Sequence, residues 1–205
     1  KNGYYEAFSE DWNEIDDVRL SEKDENQRKT MNTHLHILES YTNLYKVWKD
    51  PLLEKQLANL ISLFCDRILR KDGHLGLFFN DDMINTSSVT SYGHDIESSW
   101  LLDEASKILG NQDLMHKTEQ ISHIIVDAAS QGFFGENGGM IYESDFLSGS
   151  IDADRHWWVQ AESVVGYLNA YQRFSEEKYL ENAIAAWEFI KKHIIDHQGG
   201  EWYWS

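Results

Sequence analysis

The segment GHLGLFFND at residues 73–81 decides the reading of the chain, because relatives of it recur. GYYEAFS stands at 3–9, GGMIYESD at 138–145 and GGEWYWS at 199–205. Each joins turn-forming glycine to β-forming aromatic residues, which predicts a short strand or hairpin. The starts, at residues 3, 73, 138 and 199, lie 61 to 70 residues apart. Every interval has room for two helices.

Apolar periodicity fills those intervals. It predicts helices near 29–49 and 51–71, then 92–109 and 112–130, then 156–174 and 176–197. Pro51 suits the first turn of its helix, where a missing N–H costs nothing. Gly110 is placed to end a helix in the left-handed conformation, and Ser175 reads as an N-cap. The two members of each pair differ in character. The first carries His, Trp, Tyr, Asn and Glu among its apolar positions: MNTHLHILESYTNLYKVW from 31, SYGHDIESSWLLDEAS from 91 and RHWWVQAESVVGYLNAY from 155. The second is ordinarily amphipathic, as an outer helix with one solvated face must be. An inner helix is surrounded by protein and can turn polar residues toward a central cavity. The expected fold is therefore all-α, an (α/α)6 toroid with short β-hairpins at one end. About three of its helix pairs are present. Residues 1–205 then form one partial domain, the second half to two-thirds of a six-pair barrel. A compact open solenoid is the alternative.

The chain has 205 residues, with 35 acidic against 18 basic side chains and a formal net charge of −17. That field repels phosphate backbones and anionic lipid, which argues against nucleic acid and membrane partners. A neutral sugar would be indifferent to it. The single cysteine, Cys65, cannot form an intrachain disulfide, which suits a reducing, cytoplasmic setting. The 27 aromatic residues, 8 of them Trp, suit a large aromatic core or a carbohydrate-stacking surface.

Three clusters fall at the starts of the inner helices. Asn32 and His36 are four apart on one helix face, with Glu39 further along the stripe. His34 points elsewhere if the segment is helical and reads as a structural histidine. If the segment were a strand, His34 and His36 would share a face and could bind zinc, but no third ligand has a recognisable spacing and no metal is expected. His94 and Glu97 are three apart, in SYGHDIE. A histidine in a first helical turn feels the positive end of the macrodipole, which favours the neutral imidazole of a general base. Trp158 and Glu162 are four apart, with Trp157 adjacent. Indole faces stack on pyranose rings while carboxylates take hydroxyls. Equivalent points of successive repeats converge on one mouth of a toroid.

These motifs, in this order, resemble those of cellobiose 2-epimerases, within the wider N-acylglucosamine 2-epimerase superfamily. The opening GYYEAFSEDW and the later GGMIYES fit as well, so the resemblance covers nearly the whole chain. It implies an (α/α)6 barrel and a cofactor-free isomerase. The implied reaction inverts C2 of the reducing-end glucose of a β-1,4-linked disaccharide, cellobiose to glucosyl-mannose or lactose to epilactose. The pyranose opens, one histidine removes the C2 proton to leave an ene-diolate, and a second histidine returns a proton on the other face. The resemblance makes His94 one of that pair, with His36 and Asn32 holding substrate oxygens and Glu97 polarising the machinery. Trp157, Trp158 and Glu162 would bind the sugar rings, and Asp24 would reach the distal sugar. The family's second catalytic histidine is expected beyond Ser205 and a substrate-binding arginine before Lys1, so the 205-residue chain alone is expected to be inactive. The oligomeric state is left open.

Other readings stay open at this level. An N-acylglucosamine 2-epimerase or an aldose–ketose isomerase would use the same chemistry on the same barrel. A toroidal glycoside hydrolase would need two carboxylates across a glycosidic oxygen, with Asp95, Glu97 and Glu162 as candidates. A non-catalytic glycan-binding module would use only the tryptophans.

Overall fold

The computed structural model describes residues 2–22, 24–133 and 138–205. Its helices alternate as the periodicity predicts. The inner set is α1 (Met31–Val47), α3 (Tyr92–Leu109) and α5 (Trp157–Phe174), and the outer set is α2 (Pro51–Leu63), α4 (Gln112–Ala129) and α6 (Glu177–Phe189). α3 packs against both α1 and α5. Twelve of its eighteen residues are buried, as befits the middle helix of an inner layer. No described helix is long and apolar enough to cross a membrane.

Short strands tie the helix starts together at one end. β1 (Lys29–Thr30) leads into α1 and pairs antiparallel with β2 (Phe78–Phe79), beyond α2. β3 (Val89–Ser91) leads into α3 and pairs antiparallel with β4 (Glu143–Asp145), beyond α4. β5 (Ile151–Asp152) closes a hairpin on β4 just ahead of α5. The residues predicted to open the first helix at 29 are thus a strand, because their backbone groups pair with Phe78 and Phe79. The segment at 3–9 forms no strand. Its Glu6 N–H donates to Arg28 O at 2.8 Å, and Tyr4 N–H donates to a side chain of α1.

The repeat is visible in finer detail. After each outer helix an isolated antiparallel bridge forms: Leu69 with Leu75, Phe133 with Met140, and Ile195 with Trp202. A glycine with positive φ lies inside each of these turns: Gly73, Gly138 and Gly200. Each inner helix then hooks the backbone of the preceding turn segment with one buried side chain. Tyr4 N–H donates to His34 Nε2, Leu75 N–H to Asp95 Oδ1 and Met140 N–H to Gln160 Oε1, each at 2.9 Å. A buried N–H left unpaired costs about 1–3 kcal/mol, so these hooks fix the register of helix against turn.

Helix caps follow their residues with one correction. Pro51 is in the first turn of α2, and Asp50 accepts from Leu52 N–H and Leu53 N–H. Gly110 ends α3 at φ 77°, and Asn111 caps α4. Ser175, predicted to cap α6, instead ends α5 at φ 57°, and Glu176 takes the N-cap position. Two residues separate α5 from α6. The first must turn left-handed to stop α5, so the N-cap role moves one residue on. α2 and α6 each run into a single π-helical turn, Phe64–Ile68 and Ile190–Ile194. Leu35, Leu57, Leu60, Ile61, Phe64 and Phe79 centre one core between α1, α2 and α3. Ile96, Tyr167 and Tyr179 centre another between α3, α5 and α6.

Candidate active site

α1 contributes Asn32, His36 and Glu39 from its first turns. Thr30 caps it by accepting from Thr33 N–H at 3.1 Å. His36 is more than half exposed, with Nδ1 3.4 Å from Glu39 Oε2. His34 points away, into the protein. Its Nδ1 lies 2.6 Å from Thr30 O while its Nε2 accepts from Tyr4 N–H, which assigns the proton to Nδ1. Burial holds His34 below the ordinary histidine value. The segment is helical, so His34 and His36 do not share a face.

α3 contributes His94, Glu97 and Trp100. Ser91 occupies the N-cap position but makes no cap hydrogen bond with its side chain. Its hydroxyl lies 2.9 Å from His94 Nδ1 instead. The His94 ring packs on Trp158 at 4.9 Å between centroids. Gly93 permits that approach, since a Cβ there would sit 2.7 Å from Trp158 Cη2. Burial, helped by the charge of His36, pulls the His94 imidazole down to about 4. Desolvation rather than the macrodipole is the main cause, so His94 is neutral near pH 7.

Two carboxyls complete the cluster. Burial, then the charges of Glu162 and Glu39, push Glu97 up to about 8. It therefore carries its proton at neutral pH and can donate a hydrogen bond. Glu162, from α5, is also raised by burial, although Trp100 Nε1–H donates to its Oε2 at 2.8 Å and favours the charged form. Trp158 meets Tyr142 edge-on at 6.2 Å. The adjoining cavity is lined by Asp24, Asn32, His94, Tyr142 and Glu143 among others. Asn32 Oδ1 is buried there without a hydrogen-bond partner.

Of the residues singled out in the sequence, Asn32, His36, His94, Glu97, Trp158, Glu162 and Asp24 gather at this end of the inner helices. Trp157 does not. Successive helical residues diverge by 100°; the Trp157 ring meets Trp202 edge-on at 6.2 Å, and the Trp157 backbone N–H donates to Trp204 O. Asp95 is also turned away, held by Leu75 N–H and by His74, which removes it from any carboxylate pair. Trp100 and Tyr142 were not anticipated. Trp100 stands three residues after Glu97, so its place on the stripe was readable. The orientation of Tyr142 depends on the hairpin pairing, which no local signal gives.

Comparison with known proteins agrees with this architecture. The family model for N-acylglucosamine 2-epimerase matches residues 4–205. A cellobiose 2-epimerase of Bacteroides fragilis is 57% identical over 100% of this chain and 52% of its own length. The solved cellobiose 2-epimerase from Bacillus thermoamylovorans superposes with a TM-score of 0.89 at 42% identity, over 96% of this chain and 50% of that one. A sugar epimerase from a ruminal bacterium superposes with a TM-score of 0.91 at 40% identity, over 98% of this chain and 52% of that one. The chain thus spans about half the length of the relatives it matches, and its three helix pairs are half of an (α/α)6 ring. The match running from Tyr4 to the last residue shows that the chain belongs to the N-acylglucosamine 2-epimerase family of carbohydrate epimerases and isomerases.

Proposed function

We propose that the complete polypeptide inverts C2 of the reducing-end glucose of a β-1,4-linked disaccharide such as cellobiose, with His94 as one of two proton-transfer groups. The observation that carries this reading is geometric: His94 lines the cavity with Asn32 and Asp24 and packs on Trp158, one helical turn from the buried Glu97, and burial favours the neutral imidazole and the protonated carboxyl. The names of the relatives at 57% and 40% identity add the substrate class.

In the proposed step the sugar is ring-opened, so the C2 proton lies α to an aldehyde. His94 Nε2 takes that proton. The C2–H electron pair becomes the C1–C2 double bond, and the carbonyl π pair moves to O1. His36 or the Glu97 carboxyl donates a hydrogen bond to that oxygen as its charge grows. The anion so formed stabilises the His94 imidazolium, offsetting the burial that disfavours it in the resting site. A second acid on the opposite face protonates C2 and restores the aldehyde with inverted configuration. This group is expected from outside the 205 residues. Trp158 and Glu162 bind sugar, with Asn32 Oδ1 and Asp24 taking hydroxyls further along the cavity. The sugar's oxidation level is unchanged, so the reaction needs no oxidant or reductant; the proton left on His94 is lost to solvent and the one spent by the second acid is regained from it before the next turnover.

Incubating the complete polypeptide with cellobiose in deuterated water tests the reading. Deuterium at C2 of glucosyl-mannose is expected. Free glucose would mark a hydrolase, a ketose product an aldose–ketose isomerase, and an unlabelled, unchanged sugar would overturn the proposal.

A further inference from the structure

A buried His–Asp pair lies one residue from His94. Asp95 is 1% exposed and His74 6%. His74 Nδ1 stands 2.7 Å from Asp95 Oδ2, while Leu75 N–H donates to Asp95 Oδ1 at 2.9 Å. Both oxygens of one carboxylate thus grip the turn at 73–75. The His74 ring meets Tyr92, the first residue of α3, edge-on at 5.8 Å. The Tyr92 hydroxyl in turn lies 2.8 Å from Ser144 Oγ in β4. The first turn of α3 is therefore clamped on the side away from the cavity, while His94 projects from the other.

The backbone hook alone is common to all three repeats, through His34, Asp95 and Gln160. The middle repeat adds to it a buried, titratable pair, and does so in the turn that carries His94. Burial pulls the His74 imidazole down, but the hydrogen bond and charge of Asp95 outweigh it and leave His74 above its ordinary value. Arg70 and Asp72 also face His74 from its own turn, and the Tyr167 hydroxyl of α5 feels the Asp95 charge. Arg70 itself is anchored on Val89 O and Thr90 Oγ1 in β3, each at 3.2 Å.

We infer that His74 and Asp95 are positioning residues for His94: their hydrogen bond fixes the first turn of α3, and with it the line of approach of the His94 imidazole to C2. This rests on the proposed role of His94 as a proton-transfer group. Misplacing a reacting group by about 1 Å can cost on the order of a hundredfold in rate without loosening substrate.

The test compares H74F, which keeps a ring against Tyr92 but loses the donor, with H74N, whose amide N–H can replace Nδ1–H. Both are made in the complete polypeptide and assayed below their melting temperatures. If H74F does not fold, H74A takes its place. The expected result for H74F is a kcat lower by about tenfold to a hundredfold at unchanged KM for cellobiose. H74N should stay within a few-fold of the parent. Equal kcat in H74F and parent, or equal losses in H74F and H74N, would overturn the inference. A second readout is independent of turnover: the titration of the His94 ring nitrogens followed by NMR. Burial, largely against the Trp158 ring and Ser91, and the charge of His36 of α1 both lower the midpoint of His94. In H74F the midpoint should rise from about 4 toward the ordinary histidine value as the loosened turn admits water. An unchanged midpoint would overturn the positioning role even if cellobiose proved not to be the substrate. Failure of the parent to label C2, with a shifted midpoint in H74F, would instead count against the proposed reaction alone.

Discussion

At the scale of single residues, Glu97 shows how the site stores instability that can be measured. Glu97 is 9% exposed and its carboxyl feels two others, Glu162 and Glu39. Burial and those charges raise it from 4.5 to about 8 in the folded protein. A group with a raised folded value binds more protons folded than unfolded between those limits. Its contribution is therefore fully present below about 4.5 and is lost as the pH climbs toward 8. Glutamine keeps the shape and a donor but does not titrate. Glu97→Gln should therefore leave stability near that of the parent at pH 4.5 and gain on it steadily above. The gain should reach about 3 kcal/mol by pH 7. Thermal or urea melts of the two proteins at several pH values measure the difference. A gap that stays constant with pH would show that Glu97 is ionised as freely as a surface carboxyl.

At the scale of elements, the approach of α3 to α5 sets where the site residues stand. Gly166 on α5 faces Ile96 on α3, and a Cβ there would lie 2.5 Å from Ile96 Cγ1 and 2.9 Å from Ile96 O. The second contact is backbone and cannot swing aside. Gly166→Ala should push the two inner helices apart and cost about 1–3 kcal/mol by urea denaturation, despite the better helix propensity of alanine. A neutral or stabilising result would mean that α5 shifts freely against α3. The same close packing explains what could be read from the sequence. The helix pairs, Pro51 and Gly110 follow from local rules and stand where those rules put them. His36 with Glu39 and His94 with Glu97 followed from three-residue spacing. Ser175 failed because cap rules do not say which of two linker residues must turn left-handed. The strand at Lys29–Thr30, the Trp100 bond to Glu162 and the His74–Asp95 clamp depend on partners 48 or 50, 62 and 21 residues away. No local pattern encodes such contacts. Trp157 and Trp158 looked alike in sequence, and only the segment at 202–204 separates their surroundings.

For the whole molecule, the decisive quantity is apolar surface on the flanks of a three-pair arc. Within the inner layer of the described residues, α3 lies between α1 and α5, which pack against it from either side. Leu44, Val47, Trp48 and Leu52 stand exposed around the turn from α1 to α2, and Val165, Leu168, Ile184 and Trp187 on α5 and α6. Exposed apolar area of this kind is about 25 cal/mol per Å² less favourable than the same area buried. Groups of large apolar side chains on the first and last helix pairs mark surfaces that partners cover. In relatives about twice as long, which are (α/α)6 barrels, further helix pairs are available to do so, and under the proposed mechanism the closed ring is also where the second proton-transfer group is sought. The 205-residue chain expressed by itself is therefore expected to bind the hydrophobic dye ANS strongly and to leave cellobiose unchanged. The complete polypeptide should bind little dye and epimerise the sugar. Dye titration and product analysis on the two proteins side by side check both halves of this expectation. Turnover of cellobiose by the 205 residues alone would mean that His94 and its neighbours already hold both faces of C2, and the requirement for a closed ring would fall.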